Sequence, residues 1–198
     1  MTIIEIEVIF DFVCAWCYIG KRKLDHAISL YQKTYPDGKN DTFSIAWKLY
    51  YLHYNTQPHS VDNSEVAKVR LSDMSPERQA ALTQWMEQIG RSFSVNFKWG
   101  GKIGPDTRDA HRLVRLSRSK DASVQSSLID GLFAACHELE QDISDIEILQ
   151  MLRLALLAAR VFQLFLIQGV HRLDDAQDPS DFYEAFVTVK EAEPTQGI

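Results

Sequence analysis

The chain opens MTIIEIEVIF, in which apolar and acidic positions alternate before the run becomes continuously apolar, so Ile3 to Phe10 predicts a core strand. Asp11 to Cys14 is the turn out of it. Leu24, Ala27, Ile28 and Tyr31 then recur at i, i+3, i+4 and i+7, one apolar face of a helix running from Cys17 to the breaker cluster Pro36-Asp37-Gly38. Thr42 to Leu52 (TFSIAWKLYYL) is aromatic and β-branched, without glycine or proline, and predicts a second strand. A strand–helix–strand unit this short implies a right-handed crossover and a parallel pair.

From Ser64 to Ala159 the period is mostly helical, punctuated at Ser75-Pro76 and between Gly100 and Pro105. Ser75-Pro76-Glu77-Arg78 opens one helix with proline at its first position. Thr107 to Arg118, Asp121 to Glu140 and Ser144 to Arg160 predict three more, the last with Asp142-Ile143-Ser144 as its cap. The character then returns to β: Val161 to Ile167 predicts a strand, Gln168-Gly169 a turn, and Val170 to Leu173 a returning strand. Asp178-Pro179-Ser180 starts a final helix to about Lys190. The order β-α-β, helices, β-β-α predicts a split α/β domain with a helical insertion.

Composition narrows the function classes. With 45% apolar residues the chain can bury a real core, and 21 basic against 27 acidic residues give a net charge of −6, which argues against a nucleic-acid partner. Ile148 to Val170 is long enough to span a membrane, but Arg153 and Arg160 would each cost roughly 2.5–3.5 kcal/mol near a bilayer centre. The opening residues lack a basic n-region and a small-residue cleavage site, so the expectation is a cytoplasmic protein with no membrane contact. Three cysteines cannot form a disulfide framework and point to thiol chemistry.

Cys14-Ala15-Trp16-Cys17 is the sharpest feature. It follows a predicted strand and opens a predicted helix, where unpaired amides and the helix dipole favour a thiolate. Lys21, Arg22 and Lys23 add positive charge one to two turns on. The expected division is an attacking thiolate at Cys14 and a more buried resolving thiol at Cys17, working through a mixed disulfide. Half a zinc site and two inert buried cysteines are the competing readings, the former lacking a second ligand pair because Cys136 and His137 are adjacent on a helix. Trp16, between the sulfurs, is either a substrate-contacting aromatic or a cover for Cys17. His111 and Arg112 either line a cleft or are a packing histidine and a surface arginine. Cys136 reads as a small core hydrophobe, and Tyr50, Tyr51 and Tyr54 as packing at the end of the second strand. No metal spacing among the histidines and no phosphate-binding glycine loop is present.

Asp11-Phe12-Val13-Cys14-Ala15-Trp16-Cys17-Tyr18-Ile19-Gly20 resembles the active-site signature of the DsbA-like thioredoxin-fold family, and its FrnE-like branch in particular. The resemblance continues at Thr107-Arg108-Asp109-Ala110-His111-Arg112-Leu113 and at Phe165 to Phe186. It implies an α/β, thioredoxin-like fold with an inserted all-helical domain: residues 1–58 and 161–198 as the two parts of the thioredoxin-like domain, and residues 59–160 as the insertion. It also implies dithiol–disulfide oxidoreductase activity. Two departures stand out. Family members commonly have proline between the cysteines, where this chain has Ala15. Where the family places a cis proline facing the disulfide, the chain has Gln163, and a non-proline cis bond costs about 2.5–4 kcal/mol, so that bond is expected to be trans. The connection before this strand is also shorter than the family's.

The function expected is thiol–disulfide exchange through Cys14 and Cys17 on protein or small-molecule substrates, with substrate contacts from Trp16, Gln163 and His111. No metal, nucleotide or other cofactor is expected, and glutathione or another thiol would supply reducing equivalents. The alternatives are a glutathione-dependent transferase or isomerase on the same scaffold, or a degenerate non-catalytic member whose groove is spoiled at Gln163. An apolar face uncovered by the short connection would promote a homodimer.

Overall fold

The computed structural model describes the backbone of residues 2–162, 164–167 and 171–174, and side chains as far as residue 154. The alternating start of the chain forms β1 (Ile3–Phe10), whose side chains alternate between exposed and partly buried until Phe10 enters the core. α1 (Ala15–Thr34) follows and ends when the Tyr35 amide donates to the Tyr31 carbonyl at 2.9 Å, just before Pro36. β2 (Thr42–Leu49) then pairs with β1 in parallel over its whole length, from Ile3↔Thr42 to Phe10↔Leu49. The crossover unit is the one its hydrophobic pattern predicts.

Helices dominate the next hundred residues: α2 (Asn63–Arg70), α3 (Pro76–Ser92), α4 (Arg108–Leu116), α5 (Ala122–His137) and α6 (Ile146–Phe162). Ser75 caps α3, its hydroxyl accepting from the Arg78 amide at 3.4 Å with Pro76 at the first helical position. The segment is not wholly helical. β3 (Val61–Asp62) and β4 (Lys102–Ile103) form a short antiparallel bridge, secured where the Asn55 amide donates to the Ile103 carbonyl at 2.9 Å.

Two boundaries differ from those expected. Asp145 caps α6, its carboxylate accepting from the Glu147 amide at 2.8 Å, while Asp142 is spent on a local turn with the Ser144 amide and hydroxyl. α6 also continues through Val161 and Phe162, because no glycine or proline interrupts it. The strand that follows is correspondingly short: β5 (Leu164–Ile167) pairs antiparallel with β6 (His171–Asp174), as the hairpin pattern predicts. The Gln168-Gly169 turn and the final helix lie outside the described residues.

The chain divides into two compact units, Met1–Arg153 and Leu154–Ile198. Within the first, the core gathers on α5: Tyr18 of α1 stacks on Phe133 with ring centroids 5.0 Å apart, and Phe10 and Phe12 meet the same ring at 5.9 and 5.1 Å. Among the described residues no helix is long and apolar enough to cross a membrane.

Candidate functional site

The site begins where β1 stops. The Cys14 amide donates to the Asp11 carbonyl at 3.2 Å, closing the Asp11–Cys14 turn, and Cys14 then stands as the N-cap of α1 with extended backbone (φ −92°, ψ 106°). The Cys17 amide donates to Cys14 Sγ at 3.4 Å and to the Cys14 carbonyl at 3.0 Å. A sulfur thus occupies the place a serine or aspartate oxygen takes in ordinary caps. No acidic side chain lies in the first turn of α1 to oppose a negative charge there.

That geometry separates the two thiols. The hydrogen bond from Cys17, followed by the amides of Cys17 and Trp16, brings the Cys14 thiol down to about 6 against the opposing effect of burial. Cys17 moves far the other way, because its S–H donates to the Cys14 sulfur and because burial disfavours its anion. At neutral pH the pair is therefore a thiolate at Cys14 and a thiol at Cys17. The nearby cations contribute little. Lys21 is buried and bound to Asp25 at 2.6 Å and Asp130 at 3.0 Å, Arg22 pairs with Asp130 at 3.5 Å, and Lys23 sits 5.4 Å over the Phe93 ring.

Asp11 is the site residue that the sequence reading passed over as part of a turn. It is buried, and its carboxylate accepts from the Thr107 hydroxyl at 2.7 Å and the Leu52 amide at 2.8 Å, with His111 Nε2 at 3.5 Å. Burial pushes this carboxyl up, but hydrogen bonds from His111, Leu52 and Thr107 together hold it below the ordinary carboxylate range. Its negative charge opposes the thiolate at Cys14. The signal available in the sequence was a charged residue between two phenylalanines that both prove to be buried.

The other expected residues divide. Trp16 joins the cysteines at the head of α1, half exposed and edge-on to Trp85 of α3 at 5.2 Å. His111 is elsewhere: its ring is buried against Phe10, Phe12 and Tyr51, on the Asp11 side of the turn. Arg112 is exposed and paired with Asp109 at 2.6 Å. Gln163 lies outside the described residues. Cys136 is partly buried and also lines the cleft that Cys14 faces, with burial pushing its thiol up to about 12. Its neighbour His137 is buried and donates from Nε2 to the Phe12 carbonyl at 2.8 Å, tying the end of α5 to the turn before Cys14.

The cleft encloses about 270 Å³ in front of Cys14, between α1, α2 and α3, with Cys14, Trp16, Tyr54, Arg70, Met86 and Cys136 in its wall. Tyr54 and Arg70 were not expected there. His53, just before Tyr54, adopts φ 46°, and Arg70 of α2 donates to the carbonyls of Leu52, His53 and Tyr54. Among the described residues no cluster of three or more histidine, cysteine or acidic side chains is arranged to hold a metal ion. What the arrangement can do is present one activated sulfur, backed by a second, to a molecule in an enclosed cleft.

Comparison with known proteins bears on this arrangement. The crystal structure of a probable DsbA oxidoreductase from Streptomyces coelicolor superposes with a TM-score of 0.62 at 17% identity, over 98% of this chain and 93% of that one, a likeness of fold. No curated protein matches. The family model described as DSBA-like thioredoxin domain matches residues 5–172, which takes in the Cys14–Cys17 turn, the helical segment, β5 and the first half of β6. By that match and by its architecture, the chain belongs to the DsbA-like thioredoxin-domain family.

Proposed function

We propose that the chain is a thiol–disulfide oxidoreductase in which Cys14 attacks and Cys17 resolves. The observation that carries this reading is the cap of α1: a Cys14 sulfur bonded by the Cys17 amide and thiol, at the mouth of a cleft. The Cys14 thiolate attacks one sulfur of a substrate disulfide, and the other leaves as a thiolate and takes a proton. Cys17 then gives up its proton and attacks Cys14, releasing the second substrate thiol and leaving a Cys14–Cys17 disulfide. Glutathione or another thiol reduces that disulfide and closes the cycle.

Membership of the FrnE-like branch is part of the proposal. It is supported by what the Thr107–Leu113 motif does here: Thr107, at the N-cap of α4, and His111, one turn into the helix, both reach the Asp11 carboxylate behind the cysteines. The division into residues 1–58, 59–160 and 161–198 belongs to the same reading.

Alkylation mass spectrometry after equilibration in graded glutathione buffers tests it. The Cys14–Cys17 peptide is expected to lose two protons reversibly with a defined midpoint, and Cys14→Ser to abolish exchange. A peptide that never cycles would overturn the reading. One that only carries a glutathione adduct on Cys14 would point instead to a glutathione-dependent transferase or isomerase.

A further inference from the structure

The wall of the Cys14 cleft has a charge imbalance that disulfide exchange alone does not require. Among the described residues, Arg70, Lys98 and Lys102 line it and no aspartate or glutamate does, in a chain whose net charge is −6. The Arg70 guanidinium donates to the carbonyls of Leu52, His53 and Tyr54 and lies 5.0 Å over the Tyr54 ring, all neutral partners that leave its charge uncompensated. Neither lysine is in an ion pair among the described residues. Two carboxylates are bonded to the wall's backbone or side chains. Glu87 accepts from the Trp99 indole at 3.0 Å and faces Arg91 at 3.6 Å, whereas Glu140 accepts from the Gly100 amide at 2.9 Å, a neutral partner, and offsets one of the three cations at the edge of the wall.

These cations stand opposite a site that is itself negative, with the Cys14 thiolate in front and the Asp11 carboxylate behind. An anionic disulfide would be repelled from that pair. Three cations in one cleft, only one of them offset by Glu140, would favour the approach of an anion. Most of the rest of the wall is aromatic or apolar, with Trp16, Tyr54, Met86 and Trp99 prominent and Asn63, Thr83 and His137 as polar members, and the volume of about 270 Å³ lies at the small end of small-molecule sites. A folded protein would have to thread its disulfide into that space, whereas a short flexible molecule can place one arm and its disulfide there.

Resting on the oxidoreductase reading, we propose that this cleft selects low-molecular-weight disulfides that carry carboxylates, with Arg70, Lys98 and Lys102 holding the carboxylates while Cys14 attacks the sulfur. The net reaction is two electrons from the Cys14–Cys17 dithiol to the substrate, which leaves as two thiols.

The test mixes the full-length reduced protein, at neutral pH, with glutathione disulfide (anionic), hydroxyethyl disulfide (neutral) or cystamine (cationic). Cys14–Cys17 oxidation is followed by quenching and mass. Each rate is divided by that of free mercaptoethanol thiolate with the same disulfide, which removes intrinsic reactivity. The normalised order is expected to be anionic, neutral, cationic, with the anionic disulfide favoured about tenfold over the neutral one at low salt. The preference should shrink between about 0.01 and 1 M salt, as the screening length falls from about 30 to about 3 Å. In Lys98→Gln/Lys102→Gln, two exposed changes, the anionic-to-neutral ratio should drop. Equal normalised rates in the wild type, or an unchanged ratio in the double variant, would overturn the charge selection while leaving the redox reading standing. No oxidation by any of the three would overturn the redox reading, and this proposal with it.

Discussion

Cys14 is activated by hydrogen bonds rather than by neighbouring cations, and this has a measurable signature. Its thiol sits at about 6, Cys136 is pushed up to about 12, and Cys17 is held protonated by Cys14. Alkylation of Cys14 by iodoacetamide is therefore expected to follow a single titration with a midpoint near 6, with the other two thiols silent until strongly alkaline pH. Because the Asp11 charge opposes the thiolate, Asp11→Asn should move that midpoint downward, read as thiolate absorbance against pH. An unchanged midpoint in Asp11→Asn would show that the buried carboxylate does not reach the sulfur. The sign for stability follows too. A depressed thiol adds stability to the reduced fold above its unfolded value of 9.0, and this is lost as pH falls toward 6.

At the scale of elements, the cysteine turn is held by the end of α5. His137 donates to the Phe12 carbonyl at 2.8 Å, and burial lowers this histidine to about 4 from an ordinary 6.5. The unfolded chain binds a proton at His137 more readily than the fold does, so the stability that neutral His137 contributes is complete above pH 6.5 and lost as pH falls toward 4. The amount is on the order of 3 kcal/mol. His137→Gln keeps an N–H for Phe12 but cannot titrate. Denaturant unfolding between pH 6.5 and 4 should show a flatter stability profile in this variant than in the wild type, and parallel profiles would contradict the assignment. The stability that Asp11 contributes is complete above its ordinary carboxylate value of 3.8 and is lost only as pH falls below it, so the two windows separate.

For the molecule as a whole, thiolate stabilisation sets redox poise: whatever favours the reduced form makes the disulfide more oxidising. Thioredoxin, with its thiol near 7, lies at about −270 mV, and DsbA, near 3.5, at about −120 mV. A Cys14 at about 6 places this couple between them, and titration against glutathione buffers should find the midpoint in that interval. Much of the architecture was legible in sequence because it depends on local pattern: Ile3–Phe10 alternates, Ser75-Pro76 starts a helix, and Cys14 follows a strand and opens a helix. What was not legible depends on residues far apart in the chain. Asp11 becomes a site residue only when Thr107 and His111 of the α4 region close on it, and Arg70 of α2 joins Tyr54 in the cleft wall by bonding the carbonyls of Leu52, His53 and Tyr54. Cys136 reads as core from its apolar neighbours, yet α5 turns it toward the cleft. The late boundary shifted because nothing breaks α6 before Phe162.

Trp16 lies in sequence between the two sulfurs and meets Trp85 edge-on at 5.2 Å, while Trp47 is buried in another part of the core. An indole beside a sulfur pair has its excited state quenched differently by a thiolate and by a disulfide. The protein thus carries a built-in optical gauge of its own oxidation state. Its emission should change as the couple is titrated, and Trp16→Phe should erase most of that change, so turnover could be watched in real time without attaching a dye.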